Sequence, residues 1–356
     1  MVNIGVVGCG YWGPKHIRTC HELTDATLAT VCDVDERKLS QVRAQYPDVK
    51  TTTSFTDMLQ NGVDGVVIAT PVNTHYRLAR EALLHDKHVL VEKPLTATSR
   101  EALDLIELAE KRGLVLMVGH TYEYHPAVEF LRRLVTNGEL GDIYAVDADR
   151  LNLGLFRPDV NVLWDLAPHD ICIILSLLGE EPVAVSARGT YHVDSSICDV
   201  AYLELLFANG TIGHVHVSWL HPRKIREITI VGSKKMAVYD DVSETEKIHI
   251  YDKGLAIPAD CNSNGNGNGN GNNKFSAWPP NYRYGDVTIP FISSAEPLKL
   301  ESSHFVKCIR EGKTPRSDGW AGYRVVSILE AADRSLANGG QREKINTVKA
   351  VAGLRP

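Results

Sequence analysis

The sequence predicts an α/β protein with two domains: a doubly wound parallel sheet covered by helices, followed by an α+β domain with a large, mostly antiparallel sheet. Three observations support this prediction. Up to residue 120, short runs of Val, Ile and Leu alternate with amphipathic helices. A glycine-rich turn follows the first run, and the later runs are longer and alternate apolar with polar residues. The chain of 356 residues is long enough for two domains, which we place at 1–120 and 121–356.

The first domain alternates strands and helices in order. The predicted strands are 3–8, 27–33, 51–53, 65–70, 88–94 and 114–120, and the helices between them are 13–23, 35–46, 56–60, 73–86 and 99–113. Pro14 suits the first turn of its helix, where a missing N–H costs nothing. The fifth helix has the clearest ends, because Thr98 and Glu101 can form a capping box and Gly113 provides a stop.

The second domain is richer in strands. The predicted strands lie in 143–153, 182–193, 199–220, 226–241 and 246–252, and the predicted helices are 126–138, 166–179, 300–312 and 322–340. Asn209 and Gly210 stand between two alternating runs, which is typical of a hairpin turn. The Asn/Gly-rich segment 262–273 has nothing to bury, so we expect a mobile surface loop there.

Composition narrows the class of protein. The formal net charge of -6 argues against bulk nucleic-acid binding, which requires a basic surface. Seven scattered cysteines without a C-x-x-C pair predict reduced thiols in the cytoplasm, with neither a disulfide framework nor a zinc site. We expect no signal peptide and no membrane segment, because the apolar runs are too short.

A phosphate-binding turn is predicted at Gly8–Gly13, which reads G-x-G-x-x-G between the first strand and the first helix. Gly8 allows the tight turn, Gly10 lets a pyrophosphate approach the backbone, and Gly13 lets the helix pack on the strand. Asp33 ends the second strand, where its carboxylate can accept a hydrogen bond from a ribose 2′-hydroxyl and would repel a 2′-phosphate. We therefore predict NAD rather than NADP as cofactor, bound in a Rossmann fold. The other residues expected to line the cofactor crevice are Tyr11, Trp12, Thr70, Pro71, Asn73 and His75.

Glu92 and Lys93 close the fifth strand, at the edge of the sheet where ligands of such folds bind. We expect both to contact the cofactor near its nicotinamide. A lysine beside a positively charged ring can have a lowered pKa and can polarise or protonate a substrate oxygen. A lysine before a proline is otherwise an ordinary charge at a strand end, so its position carries the prediction.

The segment 164–170, "WDLAPHD", places Asp165 and His169 four residues apart ahead of an apolar helix. We predict that Asp165 caps this helix, that Pro168 lies in its first turn, and that both titratable groups face the same side. The helix start would then disfavour the charged imidazolium and keep His169 able to accept a proton. A metal pair lacks further ligands at a readable spacing, so we expect no metal. A purely structural cap with a neighbouring histidine remains the alternative.

These motifs together resemble the Gfo/Idh/MocA (glucose-fructose oxidoreductase / inositol dehydrogenase) family over essentially the whole chain. The resemblance rests on the N-terminal G-x-G-x-x-G, on "EKP" at 92–94, on the α+β second domain and on the Asp-x-x-x-His motif. It implies an NAD-dependent oxidoreductase of sugar CH–OH groups, with Lys93 catalytic and with Asp165 and His169 facing the substrate. The segments 119–128, 139–154, 161–179 and 216–241 are similar to the branch that contains UDP-N-acetylglucosamine 3-dehydrogenases, which oxidise a ring hydroxyl ahead of a transamination.

The substrate expected from these residues is a polar sugar, with or without a phosphate group. The candidate substrate-binding residues are Tyr122, Arg150, Asn152, Arg157, Asn161 and His169, with Arg223 and Lys224 nearby. His214, His216 and Ser218 share one face of a strand, which lines either the cleft or a subunit interface. The family resemblance implies a homodimer or homotetramer built on the open face of the second sheet.

Several functions stay open at this point. The leading one is oxidation of a secondary hydroxyl, with either His169 or Lys93 as the base and Asp165 orienting. A tailoring dehydrogenase for aminoglycosides or cyclitols would use the same chemistry, and a ketosugar reductase would run it backwards. A non-catalytic NAD-binding sensor is the alternative from a different class.

Overall fold

The structure is a computed structural model that describes residues 1–158, 160–256 and 281–346. The loop predicted at 262–273 lies outside these residues. Within the described part of the chain, no helix combines the length and apolar character that crossing a membrane requires.

The first sheet is parallel and has the strand order β3-β2-β1-β4-β5-β6. Its strands are β1 (Val2–Val7), β2 (Ala26–Cys32), β3 (Lys50–Thr52), β4 (Gly65–Ile68), β5 (His88–Glu92) and β6 (Leu116–Gly119). The strand order reverses direction between β1 and β4, so a crevice opens at the carboxyl ends of these two strands. This confirms the predicted doubly wound sheet.

Helices cover both faces of this sheet. They are α1 (Gly13–Glu22), α2 (Glu36–Gln45), α3 (Phe55–Gln60), α4 (Val72–Leu84) and α5 (Ser99–Arg112). The capping box of α5 is present, because the Thr98 side chain accepts from the backbone N–H of Glu101 and the Glu101 side chain accepts from that of Thr98. Gly113 ends the helix in the left-handed conformation, with φ of 66°. Local capping chemistry therefore sets the ends of α5 as predicted.

The second sheet has nine strands in the order β14-β13-β12-β11-β7-β10-β9-β8-β15. Only β7 and β10 pair in parallel among these described strands, so the sheet is mostly antiparallel as predicted. The strands are β7 (Ile143–Leu153), β8 (Ala184–Thr190), β9 (Val200–Leu206), β10 (Ile212–Ser218), β11 (Leu220–Gly232), β12 (Met236–Asp240), β13 (Ile248–Ala256), β14 (Asn281–Thr288) and β15 (Glu343–Lys344). Gly210, with φ of 90°, makes the predicted turn between β9 and β10. The strands β14 and β15 were not predicted, because neither has a clear apolar alternation.

The helices of the second half are α6 (Pro126–Thr136), α7 (Val162–Leu178), α8 (Pro297–Glu311) and α9 (Gly319–Ala337), after a short 3-10 helix at Thr121–Tyr124. Phe305 and Val306 of α8 pack into the core that contains Val2 and Ile4 of β1. Helix α9 packs against α5 and β6 as well as against α7. The C-terminal helices α8 and α9 thus return to the first sheet. The domain boundary at residue 120 stays a prediction.

Helix α7 begins earlier than the sequence predicts. Its N-cap is Asn161, whose side chain accepts from the backbone N–H of Trp164, and its first residue is Val162. The predictions that Asp165 caps the helix and that Pro168 lies in the first turn are therefore wrong. Pro168 is buried inside the helix, where its missing N–H leaves one helical hydrogen bond unmade. Asp165 and His169 are consequently both helical, one turn apart.

Candidate active site

The glycine-rich turn has the conformation that a phosphate cradle needs. Gly8 has φ of 96°, and a Cβ on it would lie 2.5 Å from the Ala69 carbonyl oxygen. A Cβ on Gly13 would lie 2.0 Å from the Gly8 carbonyl oxygen, so only glycine allows this approach of helix to turn. A Cβ on Gly10 would meet no described atom within 4 Å. The turn is therefore closed at Gly8 and Gly13 and open at Gly10, where a pyrophosphate has room to approach.

Helix α1 begins at this turn without a side-chain cap. Trp12 is the N-cap residue and makes no side-chain hydrogen bond to the helix. The partial positive charge of the helix start is thus available to an anion. Lys15 adds a full charge nearby, with its ammonium 3.9 Å from the ring centroids of both Tyr11 and Trp12.

Asp33 lies at the carboxyl end of β2, and its side chain is 7% exposed. One carboxylate oxygen accepts from the backbone N–H of Cys9, at 2.6 Å, and the other accepts from that of Asp35, at 2.8 Å. The carboxylate is therefore fixed against the glycine-rich turn. This placement suits an acceptor for a ribose hydroxyl.

We expect Asp33→Asn to weaken NAD binding by roughly ten- to a hundredfold, the usual range for a hydrogen bond to a charged group. The amide keeps an acceptor for the backbone but loses the charge that favours a 2′-hydroxyl and repels a 2′-phosphate. Calorimetric titration with NAD and NADP measures both effects. Asp48→Asn, on an exposed loop of the same domain, is the control. Unchanged NAD affinity in Asp33→Asn would contradict the assignment.

The turn after β4 is tied to the end of β5 by His75. This buried ring has Nδ1 at 2.9 Å from the Pro94 carbonyl oxygen and Nε2 at 2.8 Å from that of Thr70. Burial lowers the pKa of His75, although both carbonyls oppose this, so one nitrogen donates at a time. The hydroxyl groups of Thr70 and Thr74 lie 2.7 Å apart, and Pro71 is the N-cap of α4. The cofactor contacts predicted for this turn, including Asn73, stay predictions.

Glu92 at the end of β5 is buried and paired. Its carboxylate lies 2.8 Å from Nε2 of His16 in α1 and accepts from the backbone N–H of Lys93. Burial alone would raise the pKa of Glu92, but the His16 hydrogen bond and the Lys93 charge outweigh it and hold the pKa below its ordinary value. Glu92 therefore carries a negative charge beneath the crevice.

Lys93 contacts Asp165 of α7, which bridges the two halves of the chain. Its ammonium donates to the Asp165 backbone carbonyl at 2.6 Å and lies 3.8 Å from the nearer carboxylate oxygen. Burial lowers the pKa of Lys93, while the charges of Asp165 and Glu92 act in the opposite direction. The pKa of Lys93 is therefore lowered, as predicted. Burial is the main cause.

Asp165 is held by partners from three separate segments of the chain. Besides Lys93, its carboxylate accepts from the indole N–H of Trp219 at 3.0 Å and lies 3.4 Å from Nη1 of Arg157. Trp219 was not predicted, because it is 54 residues away along the chain. This arrangement leaves Asp165 as a fixed charge one helical turn from His169.

His169 is the second titratable group at this point of the crevice. Its Nδ1 is buried and makes no hydrogen bond with the described residues. Burial holds the pKa of His169 well below its ordinary value, and the charges of Lys93 and Arg150 lower it further. The predicted neutral imidazole is thus present, but the predicted cause is wrong, since His169 lies two turns inside α7.

His120, another imidazole that the sequence reading missed, follows β6. It is fully buried, and burial together with the Lys93 charge lowers its pKa to about 4. The register of β5 and β6 pairs Glu92 with Gly119, which places His120 next to Lys93. His120 is therefore an uncharged side chain next to Lys93.

The remaining candidate substrate residues come from three parts of the chain, with Tyr122 in the 3-10 helix, Arg150 and Asn152 on β7, and Asn161 at the start of α7. Arg150 and Tyr122 are hydrogen-bonded to each other, and Asn152 follows Arg150 on the same face of β7. Asn161 caps α7 and donates to Asp333, so both ends of its side-chain amide stabilise the start of this helix. Substrate contacts by any of these residues stay predictions.

His214 and His216 lie on the other face of the second sheet. The core contains Val215 and Val217 of the same strand, and alternation places the two histidines opposite. His216 stacks on Tyr202 at 4.2 Å between ring centroids. The sequence left open whether this face lines the cleft or a subunit interface. In the structure the face with the two histidines points away from the cleft.

The fold and the site define a class of protein. An open glycine turn, an uncapped helix start and a fixed carboxylate at the end of β2 fit a dinucleotide, and a lysine and a neutral histidine stand beside its crevice. These are the parts of a dinucleotide-dependent oxidoreductase.

Comparison with known proteins identifies the family. Residues 2–120 match the oxidoreductase family with an NAD-binding Rossmann fold, and residues 128–238 match the GFO/IDH/MocA C-terminal domain. The chain belongs to the Gfo/Idh/MocA family of NAD-binding oxidoreductases. This confirms the predicted enzyme class and NAD as the cofactor.

Three similarities are the most informative. A UDP-N-acetylglucosamine 3-dehydrogenase of Acidithiobacillus ferrooxidans is 33% identical over 261 residues, which are 71% of this chain and 78% of that protein. A crystal structure of a UDP-N-acetylglucosamine 3-dehydrogenase from the same organism superimposes with a TM-score of 0.79 at 27% identity, covering 96% of this chain and 99% of that one. A myo-inositol 2-dehydrogenase of Thermotoga maritima is 26% identical over 350 residues, which are 94% of this chain and 96% of that protein.

Proposed function

We propose that this protein oxidises a secondary hydroxyl of a sugar, at C3 of an amino-sugar or nucleotide-linked hexose, to a ketone. The observation that carries the proposal is the contact between the Lys93 ammonium and Asp165, one helical turn before a neutral His169. This arrangement supports a role for Lys93 as proton donor and for His169 as proton acceptor beside the dinucleotide crevice. Bound NAD supplies the hydride acceptor, and the ketone formed is a suitable substrate for a following transamination.

The two titratable side chains have complementary roles in this proposal. His169 is neutral, so it can accept the hydroxyl proton as the carbon–hydrogen bond breaks. Lys93 is an ammonium fixed by a carbonyl, so it can donate a hydrogen bond to the oxygen on which negative charge develops. Asp165 orients the ammonium and balances its charge. The alternative, in which Lys93 is the base, requires its amine to be neutral.

Similarity to named relatives supports the substrate class. The relative that is 33% identical over most of this chain is named for oxidation of UDP-N-acetylglucosamine at C3. Arg157 is a cation beside the site, which suits a substrate that carries phosphate. Arg223 and Lys224 add charge on the exposed start of β11.

The test is turnover with a panel of substrates. The purified protein is incubated with NAD and separately with UDP-sugars, free amino-sugars, cyclitols and aminoglycosides, while reduced nicotinamide is followed by absorbance. We expect the highest kcat/KM with UDP-N-acetylglucosamine or a close UDP-sugar. Tight NAD binding without reduction by any member of the panel would refute the proposal and favour an NAD-binding sensor.

A cyclitol dehydrogenase is the second candidate. It is supported by the inositol dehydrogenase relative, which matches nearly the whole length of this chain. Cyclitols lack the phosphate groups of a nucleotide sugar, so they would gain less from Arg157. A higher kcat/KM for myo-inositol than for any UDP-sugar in the panel would select this candidate. A preference for reducing ketosugars would select the reverse reaction.

We also propose that the protein is a cytoplasmic homodimer or homotetramer that assembles through the open face of the second sheet. This face carries Tyr202, which is 45% exposed, beside His214 and His216. Exposed aromatic side chains in one cluster are typical of an interface. Light scattering after size exclusion should give a multiple of 39.3 kDa, and Tyr202→Glu should shift it toward the monomer. A monomer at micromolar concentration would contradict this.

A further inference from the structure

A buried ion pair lies beside His169 and is not part of the proton transfer described above. Arg150 of β7 is 5% exposed, and Asp170 of α7 is 1% exposed. Nε of Arg150 donates to one Asp170 oxygen at 2.8 Å, and Nη2 donates to the other at 2.7 Å. A bidentate pair of this kind is directional as well as strong. It fixes the plane of the guanidinium next to His169.

The same guanidinium holds the ring of Tyr122. Nη1 of Arg150 donates to the Tyr122 hydroxyl at 3.1 Å, and the guanidinium carbon lies 4.6 Å from the ring centroid. The hydroxyl donates to Asp241 at 2.9 Å and accepts from Arg226 at 3.1 Å. Tyr122 is therefore fixed both at its hydroxyl and over its face.

The Tyr122 ring in turn contacts the ring of His169. The two centroids are 5.1 Å apart with an interplanar angle of 62°, an edge-to-face arrangement. Since Nδ1 of His169 has no hydrogen-bond partner among the described residues, the contact with Tyr122 is available to orient the ring. Three of the five N–H groups of Arg150 are already donated within the protein.

We propose that Arg150 is a positioning residue that, together with Asp170, holds Tyr122 against His169 and thereby fixes the orientation of the catalytic imidazole. This gives Arg150 a role other than the substrate contact predicted from the sequence. The inference rests on the proposed function, because it assigns His169 to the reaction.

The charge of Arg150 acts on His169 as well. Burial is the main cause of the lowered pKa of His169, and the charges of Lys93 and Arg150 follow it. Removing the positive charge of Arg150 therefore raises the pKa of His169. The titratable and charged groups around the ring are Lys93, His120, Tyr122, Arg150, Asp165, Asp170 and Arg226.

The test compares Arg150→Met with Arg150→Lys. Arg150→Met removes both the positive charge and the guanidinium that pairs with Asp170 through two hydrogen bonds. Arg150→Lys keeps the charge and removes only the guanidinium. We expect kcat to fall in both variants by about ten- to a hundredfold, the cost of a misplaced catalytic group, with KM changed by less than about threefold. Arg324→Met, which breaks an Arg–carboxylate contact with Glu181 at 2.8 Å away from the site, is the control.

A double-mutant cycle separates positioning from substrate contact. If Arg150 acts through Tyr122, the variant with both Arg150→Met and Tyr122→Leu loses no more kcat than the worse single variant. Losses that multiply, or a raised KM with unchanged kcat, would overturn the proposal. Should Arg150→Met fail to fold by circular dichroism, Arg150→Lys and Tyr122→Leu form the same cycle.

An NMR titration gives a readout that does not depend on turnover. The His169 ring signal, assigned by its loss in His169→Asn, should titrate at a higher pH in Arg150→Met than in the parent, and at the parent value in Arg150→Lys. An unchanged titration in Arg150→Met would overturn the proposal. If no sugar is oxidised by the parent, the proposed function fails while this titration still decides whether Arg150 acts on His169.

Discussion

Replacing Lys93 by methionine should lower kcat/KM for the best substrate of the panel by about a thousandfold, within the usual range for losing a positioned proton donor. Methionine has a similar length but cannot donate to the substrate oxygen. Lys93 is largely buried and its ammonium donates to the Asp165 backbone carbonyl at 2.6 Å, so the variant also loses this contact with α7. Steady-state kinetics on NAD reduction measure the loss.

The control for Lys93→Met is Lys111→Met, on the exposed end of α5. Both variants should still bind NAD, because the phosphate cradle and Asp33 are unchanged. Turnover of Lys93→Met within about threefold of the parent, with NAD still bound, would remove Lys93 from the mechanism.

Replacing His169 by asparagine should lower kcat by about a hundred- to ten-thousandfold, the range for removal of a general base. Asparagine keeps a polar group of similar size but does not accept a proton near neutral pH. His304, which is half-buried on α8, provides the matched control His304→Asn. Loss of activity in both variants to the same extent would indicate damage to the fold rather than to the reaction.

The pH dependence of kcat/KM decides between His169 and Lys93 as the base. If His169 accepts the proton, kcat/KM falls only as the pH drops through the pKa of His169, well below 6.5, and stays level across neutrality. If the Lys93 amine accepts it, kcat/KM instead rises with pH toward the pKa of Lys93, which burial lowers from 10.5. We expect the level profile. A profile that climbs steadily between pH 7 and pH 9 would exchange the two roles.

Local chemistry explains which parts of the fold could be predicted. The parallel sheet follows from apolar runs that alternate with helices, and the glycine-rich turn follows from three glycines at fixed spacing. The ends of α5 follow from Thr98, Glu101 and Gly113, because capping involves only neighbouring residues. Lys93 and Asp33 could be placed because each ends a strand whose direction was already predicted.

The features that the sequence predicted wrongly or did not predict depend on contacts between residues far apart along the chain. The start of α7 was misplaced because Asp165 is as good a local cap as Asn161, and the hydrogen bonds of Asn161 to Trp164 and Asp333 decide between them. The pair of Arg150 and Asp170 joins a strand to a helix, so no spacing in the sequence reveals it. Trp219 reaches Asp165 only because the second sheet folds back over α7.

The low pKa of His169 illustrates the same limit. Sequence reasoning attributed it to the helix start, whereas burial and the charges of Lys93 and Arg150 cause it in the structure. These cations come from the residue after β5 and from β7, which are far apart along the chain. A pattern can thus identify a titratable group, but its charge state depends on what the fold places around it.

The most direct measurement is the geometry of a ternary complex. A crystal structure of the protein with NADH and the best substrate of the panel should place one ring hydroxyl within about 3.2 Å of both Nζ of Lys93 and one ring nitrogen of His169. The carbon that carries this hydroxyl should face nicotinamide C4. A sugar bound with that hydroxyl in reach of neither Lys93 nor His169 would contradict the account. So would a complex in which Lys93 and His169 contact different bound molecules.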